Sequence, residues 1–299
     1  MAVVTTGFFD GVHLGHRLVI DKLVSLAHGR GELAEVLTLW PHPRVVLQKD
    51  ARDLRLLTSL EEKKDLLSSL GVDKVHVLPF TREFSRMDAG SYVRDILAGK
   101  IKASTVLLGY DNRIGSDSLS GESVRALCEA KGLECILLPS VSEGEKAISS
   151  TRIRETLSQG DIAGAAAMLG YDYSLDGVVV GGDKRGRQMG FPTANLLRRE
   201  PLKLVPGNGV YLVRVGLGDR KFYGMCNVGV RPTVGGRTRT IETNIFDFDE
   251  DIYGMDMRVT FLRRIREERC FGSVGELSSQ LCRDRIICME EIESLSCRV

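Results

Sequence analysis

Two periods of hydrophobic and polar positions follow one another along the chain. Over the first 170 residues, short apolar runs at Ala2 to Thr6, Leu33 to Leu39, Val75 to Phe80, Thr105 to Leu108 and Cys135 to Leu138 read as buried strands. Segments of helical spacing separate them. One helix opens near Gly15 with Leu18, Leu23, Leu26 and Ala27 toward a sheet, and Ser59 with Glu62 forms a capping box for another that closes at Gly71. Others are expected over 88–98, 122–130, from Ser150 to Gly160, and over 161–169. Strands alternating with helices imply βαβ units, a parallel Rossmann-like sheet, and ligands at the C-terminal ends of its strands.

From Leu175 to about residue 273 the helical period disappears. Runs over 178–180, 209–215, 223–228, 241–248 and 257–262, parted by glycine-rich turns, predict five or six strands of an antiparallel barrel or sandwich. A closing helix over 273–294 carries Leu277, Leu281 and Ile292 on one side. The fold class expected is α/β plus β, with domains 1–170 and 171–299.

Composition narrows the function. The 299 residues are 43% hydrophobic and 27% charged, as in a globular protein, and the net charge of +1 argues against a broad nucleic-acid-binding face. Seven cysteines, at 128, 135, 226, 270, 282, 288 and 297, form no C-x-x-C pair, so reduced thiols in a cytoplasm are expected. The N-terminus lacks the layout of a signal peptide, and no apolar run reaches transmembrane length. Small-molecule substrates are therefore expected, with no nucleic-acid or membrane partner. Oligomeric state is not legible.

The chemistry starts at the N-terminus. Gly7-Phe8-Phe9-Asp10-Gly11-Val12-His13-Leu14-Gly15-His16 joins a buried strand to a helix through a glycine-bearing turn, which builds an anion site from backbone N–H groups and the helix dipole. His13 and His16 fall on one face, and Gly15 lets the backbone approach a ligand. Two histidines alone are too few for zinc; either one singly reads as a hydrogen-bonded structural residue, and their pairing in one glycine-rich strand-to-helix turn favours phosphate chemistry. Trp40-Pro41-His42-Pro43-Arg44 reads as a loop kept out of helix by its prolines, with His42 at the surface. After the strand at 105–108 comes Gly109-Tyr110-Asp111-Asn112-Arg113-Ile114-Gly115, a polar loop where a ribose or phosphate could be held. Ser149-Ser150-Thr151-Arg152-Ile153-Arg154 enters a helix whose first-turn arginines oppose the dipole unless they face an anion.

In the second half, Gly181-Gly182-Asp183-Lys184-Arg185-Gly186 precedes Gly190-Phe191-Pro192-Thr193-Ala194-Asn195. The spacing is neither a P-loop nor a dinucleotide fingerprint, but such a loop can cradle phosphates through backbone N–H groups. Thr193 and Asn195 offer a hydroxyl and an amide oxygen, hard ligands suited to Mg²⁺ on ATP. The alternating run Ile241 to Phe248 puts Glu242 and Asn244 on one face. Arg263, Arg264 and Arg266, with Phe271 nearby, form a basic strand end.

These motifs, in this order, resemble those of bacterial bifunctional riboflavin kinase/FAD synthetases: the H-x-G-H and S-T-x-x-R elements of the adenylyltransferase half, and the G-x-P-T-A-N element of the flavokinase half. The resemblance implies Mg²⁺-dependent phosphorylation of riboflavin to FMN by ATP, then adenylylation of FMN to FAD. It implies Glu242 as general base, and Thr193 and Asn195 on the metal. Gly182, Lys184, Gly186, Pro192 and Arg266 would bind nucleotide or flavin. In the first half it implies His13, His16 and Arg154 as stabilisers of developing charge, with Phe9, Asp10, Gly15, Gly109, Asp111, Asn112, Ser150 and Thr151 around the substrates. Asn112 and Ile114 stand where the family usually has phenylalanines, which motivates the alternative of a kinase with a weak adenylyltransferase half. A flavin- or nucleotide-sensing module without turnover is the alternative of another class.

Overall fold

The computed structural model describes residues 1–48, 53–109, 112–139, 148–182, 186, 189–233 and 236–296; of 231–233, 236–238 and 296 it describes the backbone alone. The chain divides into two compact units, 1–150 and 151–299.

In the first unit, β1 (Ala2–Thr6), β2 (Leu33–Trp40), β3 (Lys74–Pro79), β4 (Ala103–Leu108) and β5 (Glu134–Leu137) form a parallel sheet in the order β3-β2-β1-β4-β5. The central strand, β1, is buried at every position because helices cover both faces. The order reverses between β1 and β4, so their C-terminal ends open the crevice where such sheets take ligands. Helix α1 (Leu14–Gly29) buries Ile20, Leu23 and Ala27; Leu18, expected toward the sheet, is 46% exposed. The helix opens at Leu14, one residue before the expected Gly15, and Ile20 takes the inward position instead. The prolines after β2 do not exclude helix: Pro43 is the first residue of a short helix, α2 (Pro43–Leu47), with His42 as its cap. A proline at that position loses no hydrogen bond and is already set to helical φ. Helix α3 (Leu60–Ser69) carries the expected capping box between Ser59 and Glu62. Helix α4 (Ala89–Ser91) continues as a π-wound segment, Tyr92–Ile101, and α5 (Gly121–Glu129) precedes β5.

The second unit starts with α6 (Ser150–Ser158), entered from the first, and α7 (Ile162–Leu169). These helices are bonded to the barrel: the Gly207 amide donates to the Leu157 carbonyl at 2.8 Å, and Arg264 Nη1 to the Gln159 carbonyl at 3.2 Å. Strands β6 (Ser174–Val180), β7 (Ala194–Arg198), β8 (Gly209–Leu217), β9 (Arg220–Thr233), β10 (Gly236–Ile245) and β11 (Asp256–Arg266) close an antiparallel barrel in the order β10-β7-β6-β11-β8-β9. β7, which begins within the P-T-A-N run, has no counterpart among the expected strands; its five residues, with exposed Leu197, give too little alternation to read. Helix α8 (Val274–Ser296) covers one end, packing Leu281 and Ile292 against Phe191, Val210, Leu212 and Met225. It also buries Gln280, Asp284 and Cys288, four residues apart along one line.

Candidate active sites

In the first unit the turn between β1 and α1 is over-determined by its neighbours. The Gly7 amide donates to the Leu37 carbonyl at 3.0 Å, and the buried Asp10 carboxylate accepts from the amides of Leu57 (2.9 Å) and Thr58 (3.2 Å). Asp10, expected at the nucleotide, thus braces the turn against the segment before α3. Phe9 and Val12 sit at φ of +52° and +38°. A β-branched residue in the left-handed region is strained, and such strain persists only where surrounding structure imposes it.

His13 caps α1: its Nδ1 accepts the His16 amide at 3.4 Å. The two imidazoles stack, centroids 3.7 Å apart and planes 17° from parallel, and the Phe9 ring meets His16 edge-on at 5.3 Å. Burial, then the charges of His13 and Lys63, hold the His16 pKa well below that of an ordinary histidine, so its ring is neutral near pH 7. Its buried Nδ1 has no hydrogen-bond partner among the described residues. At Gly15 a Cβ would lie 3.3 Å from the His13 ring, tighter than such contacts usually run, so a side chain there would push on the stacked pair. Ser150, the last residue of the first unit, donates through Oγ to the Asp10 carbonyl at 3.0 Å. Thr151 is exposed and Arg154 half-buried, one helical turn further on.

Beside the turn lies a cavity of about 480 Å³ lined by Thr6, Phe8, Phe80, Phe84, Tyr92 and Asn112 among others. Asn112 pins its loop to the switch point: Oδ1 accepts the Gly109 amide and Nδ2 donates to the Thr6 carbonyl, both at 2.8 Å. Ile114 pairs with Leu119 through the backbone. Phe80, Phe84 and Tyr92 line the same cavity as Asn112 and Ile114 and present aromatic rings to it. The Tyr92 hydroxyl bonds Thr6 Oγ1 at 2.8 Å, and burial pushes its pKa up to about 12. Asp111 lies outside the described residues.

Lys63, on α3, drew no attention in the sequence, and its side chain is completely buried beside the same turn. Its spacing of four from the core residue Leu67 was the available signal. His42, expected at the surface, is half-buried and meets Phe8 edge-on at 4.3 Å.

In the second unit β10 separates two cavities. One, of about 320 Å³, is lined by Gly186, Phe191, Thr193, Glu242, Asn244, Arg266 and Phe271 among others; the second, of about 420 Å³, by Pro192, Thr193, Ala194, Thr243 and Ile245, with Asp249, Glu250 and Asp251 at its rim. The pleat sends Glu242 and Asn244 to one side and Thr243 to the other. Thr193 touches both. Asn244 Nδ2 donates to the Pro192 carbonyl at 2.7 Å and fixes the wall between them. Asn195, on β7, pairs in register with Glu242. Its amide lies so close to Gly182 that a Cβ there would collide with it, and a Cβ on Gly186 would collide with the Phe191 carbonyl. Arg266, at the end of β11, makes a bidentate pair with buried Asp284 of α8, at 3.0 and 2.8 Å, and lies 5.6 Å from the Phe271 centroid. Gln280 Nε2 donates to the same carboxylate at 2.8 Å. Asp284 is a site-forming residue the sequence reading passed over. Lys184 lies outside the described residues.

The FAD synthetase family model matches residues 1–152 and the riboflavin kinase family model residues 169–291. Proteins named bifunctional riboflavin kinase/FMN adenylyltransferase are similar along almost the whole chain: one from Bacillus subtilis at 33% identity, over 95% of this chain and 90% of its own, and one from Escherichia coli at 35%, over 96% and 92%. A solved structure from Streptococcus pneumoniae, described as a macrolide-efflux protein, matches with a TM-score of 0.90 and 32% identity over 96% of this chain and 93% of its own. Among the described residues no helix is long and apolar enough to cross a membrane.

Proposed function

The chain belongs to the family of bifunctional riboflavin kinase/FMN adenylyltransferases, and on that premise we propose how its two units divide the chemistry. It is an enzyme of flavin nucleotide synthesis: it phosphorylates riboflavin to FMN with ATP, then adenylylates FMN to FAD with release of pyrophosphate.

In the barrel, riboflavin occupies the cavity that contains Glu242, and the triphosphate of ATP occupies the one across β10. The observation that carries this reading is that Glu242 and Thr243 face opposite cavities while Thr193 touches both. Acceptor and donor then meet at one wall. The Glu242 carboxylate takes the proton of the ribityl 5′-hydroxyl as that oxygen bonds to the γ-phosphorus and ADP leaves. Phe271, fixed beside the Arg266–Asp284 pair, offers a face to the isoalloxazine ring.

Thr193 and Asn195 present neutral oxygen donors and no thiolate or imidazole, a set that fits Mg²⁺, which keeps several waters and takes most of its remaining ligands from phosphate. Bound there with ATP, the ion would neutralise phosphate charge. The clash that a side chain at Gly182 would make with the Asn195 amide supports the fit, since that residue keeps the amide in place.

In the α/β unit the turn amides, the neutral imidazole of His16 and the His13 ring donate to the triphosphate, while a phosphate oxygen of FMN attacks the α-phosphorus and pyrophosphate leaves. The flavin ring sits in the cavity of Phe80, Phe84 and Tyr92. Ser150 binds phosphate beside the turn, and Thr151 and Arg154 are assigned on their motif alone. The pinned Asn112 loop and the aromatic rings of that cavity favour a working adenylyltransferase over a kinase acting alone. A cytoplasmic enzyme that takes riboflavin, FMN and ATP from solution fits these roles.

The test is Glu242→Gln, assayed for FMN formation from riboflavin and, separately, FAD formation from supplied FMN. Loss of the first with retention of the second is expected. Wild-type FMN production in the variant would remove Glu242 from the reaction.

A further inference from the structure

The Lys63 ammonium is fully buried and among the described residues has no carboxylate within ion-pair distance. Among the described residues its hydrogen bond goes to Thr38 Oγ1, at 3.4 Å, and Thr38 Oγ1 in turn donates to the Phe8 carbonyl at 3.1 Å. The ammonium also sits 3.7 Å from the centroid of the Phe8 ring and 5.6 Å from that of Trp40. Residue 8 is thus held by one cation through both its backbone and its ring.

A buried cation without a counter-ion is costly, and a methionine of similar length would fill the same space without that cost. The nearest carboxylate by electrostatic influence is Asp10, whose oxygens are engaged by Leu57 and Thr58. The fold therefore carries a positive charge next to the anion-binding turn that its own stability does not require. Groups of this kind are found where a ligand supplies the missing charge.

We infer that Lys63 is a positioning residue for adenylyl transfer: it anchors Phe8 and thereby the 7–13 turn, and its charge draws a substrate phosphate onto that turn. The inference rests on the adenylyltransferase reading of this unit. Burial pushes the lysine down to about 8, and the same charge contributes to keeping His16 neutral.

Lys63→Met and Lys63→Gln are each compared with wild type in three measurements: calorimetric titration with inorganic pyrophosphate, the rate of FAD formation from FMN and ATP, and thermal unfolding. Both variants should bind pyrophosphate about tenfold more weakly and form FAD at least about tenfold more slowly. Kinase turnover should be unchanged and the unfolding midpoint should be equal or higher. Unchanged pyrophosphate affinity would overturn the inference, as would wild-type FAD formation by the Gln variant, which retains a hydrogen-bond donor without the charge. A lowered midpoint or failure to fold would also overturn it, by making Lys63 structural. A wild-type protein that forms no FAD would instead defeat the reading of the unit, and the pyrophosphate titration would still decide the role of Lys63.

Discussion

Glu242 and Thr243 are neighbours on β10, yet Glu242 lines the cavity shared with Arg266 and Phe271 while Thr243 lines the one shared with Pro192 and Ile252. In the proposed reading this one strand serves as the partition between an alcohol acceptor and a phosphate donor. The alternation that makes this so is a property of any β-strand, and the function lies in which residue types occupy the two sides.

Gly182→Ala tests the metal-side geometry. A Cβ there collides with the Asn195 amide, so the side chain must swing away from the position assigned to it. FMN formation should fall at least about tenfold and its Mg²⁺ requirement should rise, while FAD formation from supplied FMN stays unchanged. Kinetics in a magnesium series read both effects.

Asp284→Asn tests how α8 reaches the flavin cavity. Asp284 is completely buried and holds Arg266 in a bidentate pair, and removing one partner of such a pair costs about 3 kcal/mol. The second unit should unfold earlier in denaturant. The KM for riboflavin should rise more than kcat falls, because Arg266 orients the ring neighbour Phe271 and touches no reacting atom. Asp284→Glu should restore part of the loss.

Much of this arrangement was legible before the structure. Parallel sheet, barrel, closing helix and the pairing of His13 with His16 follow from periodicity and from glycine at the turn. The misses share a cause: polar residues that face inward look like surface residues in a one-dimensional pattern. Lys63 sits within Glu61-Glu62-Lys63-Lys64, a stretch that reads as a solvated helix start, and only its spacing from Leu67 betrays its burial. Gln280 and Asp284 hide the same way in α8. The aromatic lining of the first cavity escaped because Phe80, Phe84 and Tyr92 lie away from the loop where a motif would seek them. Tertiary structure, not local sequence, brings them to β1.

Lys63 also governs a pH dependence of stability. Its pKa is about 8 in the folded chain against 10.5 for an ordinary lysine. Between those values the unfolded chain holds the proton and the folded one does not, so stability rises with pH across that window. At pH 7 the shift corresponds to a penalty of about 3 kcal/mol, which Lys63→Met should remove. Denaturant unfolding should find the variant more stable at pH 7, with the difference narrowing from pH 8 toward 10.5. A constant difference across that range would contradict the assignment.

His16 acts at the other end of the scale. Its pKa lies well below 6.5, so as pH falls through 6.5 the unfolded chain gains a proton that the folded chain refuses, and stability of the first unit declines. His16→Asn should flatten that acid limb. It should also slow FAD formation by about 10² or more if the ring donates to the triphosphate.

The most direct measurement is a chromatographic time course of the protein with riboflavin, ATP and Mg²⁺ that resolves riboflavin, FMN and FAD, run beside a His13→Ala, His16→Ala variant. The account predicts that wild type accumulates FMN and converts it to FAD, while the variant makes FMN at the wild-type rate and stops there. FAD formed by the variant as fast as by wild type would contradict it, because the stacked imidazoles at the start of α1 would then have no part in adenylyl transfer.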